Sequence, residues 1–226
     1  MNWQDKGYLL SKNNYSENSA IAEFFTEQHG KITGIIFGAT SKKIKNYLLI
    51  GNKFHINYSS KFEGKIGSLK LEIDEITTPK FLENKQKLLC ILYSNNLIKI
   101  LTVENQENRK IYNLMRELYS SLDNDNWLVS FVLWELNILS NLGYDIDFNN
   151  YVKKIYENNK EKFVLSNNEK EIPKFLIYKS TEINNYSEIL LGLKYVGDYL
   201  DKSIIKPNNL NFPLSRKEFI DSIKHL

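Results

Sequence analysis

Lys53-Phe54-His55-Ile56-Asn57-Tyr58 alternates polar with large apolar side chains, and Ser68-Leu69-Lys70-Leu71-Glu72-Ile73-Asp74 repeats the pattern. A period of two places Phe54, Ile56 and Tyr58 on one face of a strand, and Leu69, Leu71 and Ile73 on one face of the next, with Ile76 prolonging it. Upstream, Gly7-Tyr8-Leu9-Leu10 starts a strand and Lys31 to Phe37 forms another. Ser19 to Thr26 is ambiguous on propensity between strand and short helix and is read as strand. Five strands with little 3.6-residue periodicity predict a small β-domain over residues 1–79.

Thr77-Thr78-Pro79 ends that domain, because proline continues neither a central strand nor a helix through the residue before it. Beyond it the period changes. Leu82, Leu88, Leu89, Ile91, Leu92, Ile98 and Leu101 indicate one or two helices, and Ile111, Leu114, Met115, Leu118 and Leu122 a clear amphipathic one. Trp127, Phe131, Trp134, Ile138 and Leu142 recur at helical spacing before Gly143, a C-terminal cap, and predict a buried helix. Asparagine and lysine crowd residues 149–170, and residues 150–182 read as a polar insertion with short strands at most. Helix resumes at Ser187, with Ile189, Leu190, Leu193, Val196 and Leu200 inward, and a last helix follows Ser215-Arg216-Lys217-Glu218, a capping-box pattern. The order is β then α, an α+β chain whose second domain, residues 80–226, is helical.

At 226 residues and 26.6 kDa, 42% hydrophobic and 25% charged, the composition excludes collagen-like, disordered and disulfide-scaffold classes. The longest apolar run, Leu88 to Tyr93, is far short of a membrane span, and no secretory signal opens the sequence, so a cytoplasmic location is expected. One cysteine, Cys90, can build neither an internal disulfide nor a multi-cysteine zinc site, and no cofactor is expected. His29, His55 and His225 fit no metal-ligand spacing. Gly34 to Gly38 lacks the pattern of a phosphate loop, and no nucleophile elbow occurs. The acidic pairs Asp74-Glu75, Asp123/Asp125 and Asp145/Asp147 sit at element ends, where turns and caps explain them. A binding protein is favoured over an enzyme.

The net charge of +3 is small, but it is unevenly placed. Residues 31–70 hold eight lysines, at 31, 42, 43, 45, 53, 61, 65 and 70, against the one acid Glu63, a surplus of seven. Phe37, Tyr47, Phe54, Tyr58 and Phe62 interleave with them, pairing cations with flat rings as single-stranded nucleic acid requires for backbone attraction and base stacking. Solvated lysines on strands would give the same pattern, since the whole chain is rich in lysine and asparagine.

Trp3-x-Asp5-x-Gly7-x-Leu9-Leu10, Tyr15-Ser16-Glu17-Asn18-Ser19, Phe25-Thr26-x-x-x-Gly30, Gly34 and Gly38-Ala39-x-Ser41-Lys42-Lys43 together resemble the bacterial recombination-repair family RecO. Ile111-Tyr112-x-Leu114, then Trp134-Glu135-Leu136-x-Ile138-Leu139-x-x-Leu142-Gly143-Tyr144-x-Ile146-Asp147, looks like its central helical signature, and Leu190 to Ser215 its last segment. The resemblance spans nearly the whole chain. It implies an N-terminal five-stranded OB-fold barrel, an all-α C-terminal domain and no enzymatic turnover. It also implies a mediator that binds single- and double-stranded DNA, anneals complementary strands and works with RecR, and often RecF, to load RecA onto DNA coated by single-strand-binding protein. Such a protein acts at the nucleoid during repair. Lys42 and Lys43 match the family's basic loop and become the first candidates for phosphate contact, followed by Lys31, Lys45, Lys53, Lys61 and Lys65. Phe37, Tyr47 and Tyr58 are candidates for base stacking, although Tyr58 shares its face with Phe54 and Ile56 and serves equally well as barrel core. Arg109, Lys110 and Arg116 are candidates for receiving the acidic tail of single-strand-binding protein. Many members bind zinc through four cysteines in the insertion, whereas Tyr151 stands here in place of the first, so packing by Phe163, Leu165, Ile172, Phe175 and Ile177 must replace the metal. The rival reading is a protein-interaction adaptor whose barrel does not bind nucleic acid.

Overall fold

The computed structural model describes residues 1–62, 64–145, 151–157, 160–166, 170–181 and 185–224. Glu63, Ile146, Asp147 and His225 lie outside them. Five strands, β1 (Asn2–Ser16), β2 (Ser19–Thr26), β3 (Gly30–Phe37), β4 (Lys53–Ser59) and β5 (Gly67–Glu75), close a barrel in the order β1-β2-β3-β5-β4. The alternation of β4 has the expected result. Phe54 and Ile56 are buried inside, and Phe54 meets Phe24 edge to face at 5.7 Å. Leu9, Ala20, Ala22, Ile32, Ile36 and Leu69 complete the interior.

Closure is asymmetric. β1 pairs with β4 from Asn2–Ser59 to Tyr8–Lys53, whereas β3 meets β5 in parallel only at Gly34–Gly67 and Ile35–Ser68. The first half of β3 is instead covered by the connection at residues 104–106: Lys31 bridges Glu104, and the Asn105 amide donates to the Lys31 carbonyl at 2.8 Å. Gly30 makes this possible. Its φ of +65° is unfavourable for other residues, and a Cβ there would stand 1.8 Å from the Gln106 carbonyl oxygen.

Between β3 and β4 the chain forms one helical turn, α1 (Lys42–Lys45), where the sequence suggested a basic loop. Four residues cannot sustain a helix by propensity. Tertiary packing decides it: Ile44, Tyr47 and Leu48 pack against the barrel core and leave the lysines outside. Asn52 follows, fully buried. Its side chain donates to the Tyr47 carbonyl at 2.8 Å and accepts from the Thr77 and Thr78 amides at 2.9 and 3.1 Å, so its polar atoms stay satisfied.

After a 3₁₀ turn at Thr78–Phe81 come α2 (Lys85–Leu101), α3 (Arg109–Ser121) and α4 (Trp127–Asn141). The chain divides into two compact units, Met1–Asn113 with Phe212–Leu226, and Leu114–Asn211. In the first, Tyr93 of α2 lies 6.3 Å from Phe219 of the final helix. That helix, Leu214–Ile223, follows Pro213 and is not opened by a capping box. Ser215 is already inside the helix and buried, and its hydroxyl accepts from Asn96 Nδ2 at 3.1 Å. Pro213 stands instead at the N-cap, in extended backbone, and the helix begins at Leu214 with no side-chain cap.

The second unit is built on α4, apolar nearly all round and buried at every residue from Trp127 to Leu139 except Ser130 and Asn137, as such a helix must be. Gly143 caps it at a φ of +86°. The polar insertion carries an antiparallel sheet, β6 (Val152–Glu157), β7 (Lys160–Leu165) and β8 (Glu171–Ile172), and the short helix α5 (Lys174–Tyr178). Phe163, Ile172, Phe175 and Leu176 are buried there, while Leu165 and Ile177 are half-buried. Four-cysteine zinc does not fit this region, for the chain's one cysteine is Cys90 in α2. α6 (Tyr186–Leu200) runs into a π-helical turn and, with the final helix as α7, completes the described elements.

Candidate nucleic-acid interface

One end of the barrel is a platform of cations. Packing of Ile44 turns Lys42, Lys43 and Lys45 outward, and all three are exposed. Among the described residues none of them pairs with a carboxylate. Lys12 of β1 joins them: its ammonium donates to the Leu48 carbonyl at 2.6 Å, and burial together with the charge of Lys45 holds its pKa below the ordinary lysine value. Cations that destabilise one another gain most when an anion arrives. Phe37 ends β3 just before this turn with 65% of its surface exposed. An exposed ring beside unpaired cations is the combination that single-stranded nucleic acid uses.

Other lysines of the basic stretch are committed to the fold. Lys31 reaches the end of α2, where its ammonium donates to the Lys99 carbonyl at 2.8 Å, one of the acceptors a helix leaves unmet in its last turn. Burial lowers its pKa, with Glu23 and Glu104 pulling the other way. Lys53 has a side chain only 14% exposed, pairs with Asp74 at 3.3 Å, and lies 5.7 and 5.9 Å from the ring centres of Tyr8 and Tyr112. Asp74 also accepts from Lys6 and contacts His55. Burial would raise its pKa, but the Lys6 and Lys53 hydrogen bonds and the nearby positive charges outweigh this and hold it low. The outward side of β2 and β3 is similarly occupied: Lys99 pairs with Glu23, and Thr33 donates to Glu104 at 2.7 Å.

At the opposite end lies a cleft of about 680 Å³, lined by Trp3, His29, Tyr58, Phe62, Lys65 and Glu104 among others. Its wall is a stack of three rings. Trp3 and Tyr58 are direct partners across β1 and β4, with ring centres 4.7 Å apart and planes within 9°. His29, in the turn between β2 and β3, lies 3.9 Å from Trp3 at 10°. Asp5 orients it: the buried carboxylate accepts from the Gln28 and His29 amides at 2.9 and 3.2 Å, and from His29 Nδ1 at 2.8 Å. Lys65 stands 5.0 Å over the exposed Phe62 ring, and Lys61 is exposed in the same loop.

Of the sequence-derived residues, the structure thus gathers Lys42, Lys43, Lys45 and Phe37 at one end, and Tyr58, Lys61 and Lys65 at the other. Tyr47 is half-buried against the core. Sequence reasoning missed Lys12, Trp3 and His29. The dipeptide His29-Gly30 reads only as a turn, and the Trp3–Tyr58 pairing exists only once the register of β1 on β4 is known. Arg109 and Lys110 open α3, the former paired with Glu107 at 2.8 Å, and Arg116 lies exposed further along. Among the described residues no three His, Cys, Asp or Glu side chains cluster as metal ligands, and no helix is long and apolar enough to cross a membrane.

The family described as Recombination protein O N terminal matches residues 1–73, and Recombination protein O C terminal matches residues 82–195. The DNA repair protein RecO of Rhodospirillum centenum is 24% identical over 98% of this chain and 94% of its own length. That of Orientia tsutsugamushi is 26% identical over 99% and 98%. That of Ehrlichia chaffeensis is 30% identical over 65% of this chain and 60% of its own.

Proposed function

The chain belongs to the RecO family of DNA repair proteins, which mediate rather than catalyse, and on that premise we propose that it binds single- and double-stranded DNA and anneals complementary strands. With RecR, and RecF where present, it helps RecA load onto DNA coated by single-strand-binding protein. Residues 1–79 meet the DNA, and residues 80–226 serve partners, with Arg109, Lys110 and Arg116 offered to the acidic tail of single-strand-binding protein. The work takes place in the cytoplasm, at the nucleoid.

The observation that carries this reading is the platform of Lys12 with Lys42, Lys43 and Lys45, the last three turned outward by the packing of Ile44 and, among the described residues, paired with no carboxylate. Cations so placed contact phosphates without reading sequence. Phosphates neutralised on two strands repel one another less, and the released counterions favour the bound state. No bond is made or broken, so the activity needs geometry and charge alone.

The test is annealing of complementary oligonucleotides coated with single-strand-binding protein, in EDTA and across a salt series. Acceleration that survives chelation and declines with salt is expected. A folded protein that accelerates nothing at any salt would favour the adaptor reading, with the lysines serving as solvated surface.

A further inference from the structure

The cleft at the far end of the barrel differs in chemistry from the lysine platform. Its wall is aromatic, and its carboxylates, Glu104 and Glu107, make it a poor place for a phosphate. Glu104 accepts from Thr33 at 2.7 Å and is exposed, so it keeps lone pairs for another donor. The three stacked rings are held before any ligand arrives. Trp3 and Tyr58 are fixed by strand pairing, and His29 by a carboxylate whose own side chain is 1% exposed. His29 itself is 33% exposed, so the stack is not sealed into the core.

We propose that this cleft is a nucleobase pocket, taking one unpaired base of a DNA strand on the outer face of His29, the partly exposed end of a His29–Trp3–Tyr58 stack whose middle ring is covered on both sides. The inference rests on the DNA-binding reading above and adds a site that discriminates bases from backbone. The base enters edge-on past Phe62 and Gly64, where Lys61 and Lys65 meet the flanking phosphates. Glu104 accepts from an exocyclic amino group, which cytosine, adenine and guanine carry and thymine lacks. A base held in a duplex cannot enter, so the pocket favours single strands. The volume suits one small planar ligand, being within the ordinary range for such sites.

The full-length protein is tested against three probes at one salt concentration: a short oligodeoxycytidine, a strand of equal length made of abasic residues, and free deoxycytidine monophosphate as competitor. The cytosine strand is expected to bind about tenfold more tightly than the abasic strand, the order of one lost stacking contact. A strand carrying 5-iodocytosine should then photocrosslink to Trp3, His29 or Tyr58. Equal affinity for the two strands, or crosslinks confined to Phe37 and Tyr47, overturns the pocket while leaving DNA binding intact. Binding of neither strand overturns the DNA-binding reading and the pocket with it. Displacement of the strand by the mononucleotide at equal concentration would mark a free-nucleotide site and overturn the assignment to a strand.

Discussion

Replacing Lys42, Lys43 and Lys45 together by glutamine tests the platform most directly. All three are exposed on a single helical turn whose position depends on Ile44, so the substitutions should leave stability within about 0.5 kcal/mol. If each lysine contacts one phosphate, the slope of log affinity against log salt falls by about 2 on a single strand and about 2.7 on a duplex. Between 50 and 200 mM salt, wild-type affinity should therefore drop about 18-fold more than the variant's on a single strand, and about 40-fold more on a duplex. The assay is fluorescence anisotropy of labelled oligonucleotides across that range. The triple variant also takes the formal net charge from +3 to zero, so a control is needed. Lys194, Lys202 and Lys217 are exposed elsewhere, and replacing them with glutamine makes the same charge change. An unaltered slope in the α1 variant, or an equal fall in the control, would refute the platform.

Lys53→Met should act on the fold rather than on DNA, since its ammonium is held between Asp74 and two tyrosine rings. A loss of about 1–3 kcal/mol in urea unfolding with an unchanged salt slope is expected, and a reduced slope would return Lys53 to the DNA surface. Asn52→Ala removes the acceptor for the Thr77 and Thr78 amides and should cost about 2–4 kcal/mol; a variant as stable as wild type would show that those amides find another partner. Glu23 and Asp74 predict the pH dependence. Burial alone would raise Glu23, but hydrogen bonds from Lys99 and Ser11 and the charges of Lys99 and Lys31 hold it below its ordinary 4.5, as the partners of Asp74 hold it below 3.8. Carboxyls lowered in the folded state contribute stability that is present above those ordinary values and is lost as pH falls through the folded ones. Their contribution to the melting temperature should therefore be flat from pH 7 to about 5 and decline below about 4.5. Lys99→Met should make that decline shallower, and an identical decline would detach Glu23 from Lys99.

The barrel was legible because its signal is local: Phe54, Ile56 and Leu69 line the interior as a period of two requires. The platform was half legible. Lysine content marked Lys42, Lys43 and Lys45, but the helix that presents them depends on Ile44 meeting a core that no local pattern describes. Lys31 and Lys53 carry the same local signature as those three and have other work, because α2 and Asp74 reach them through contacts distant in sequence. The aromatic stack was least legible, needing both a cross-strand register and a turn histidine anchored by Asp5. Ser215-Arg216-Lys217-Glu218 failed as a helix start for a related reason, since the helix already begins at Leu214 and the Ser215 hydroxyl is engaged by Asn96, distant in sequence.

The proposed annealing and the proposed base capture make opposite demands, which their separation at the two barrel ends would reconcile. A protein that gripped many bases would prevent them from pairing, whereas lysines on phosphates leave bases available. One base in the proposed pocket would be held by about 1–3 kcal/mol of stacking. A base-pair step contributes about 1.4 kcal/mol, so one to three steps of new duplex suffice to draw the base out. On the proposed reading the cleft would then fix a single strand while it is unpaired and release it once a partner has begun to pair. α2 bears on this division, for its Lys99 pairs with Glu23 of β2 and its last turn receives Lys31 of β3, so that these side chains are engaged by the fold.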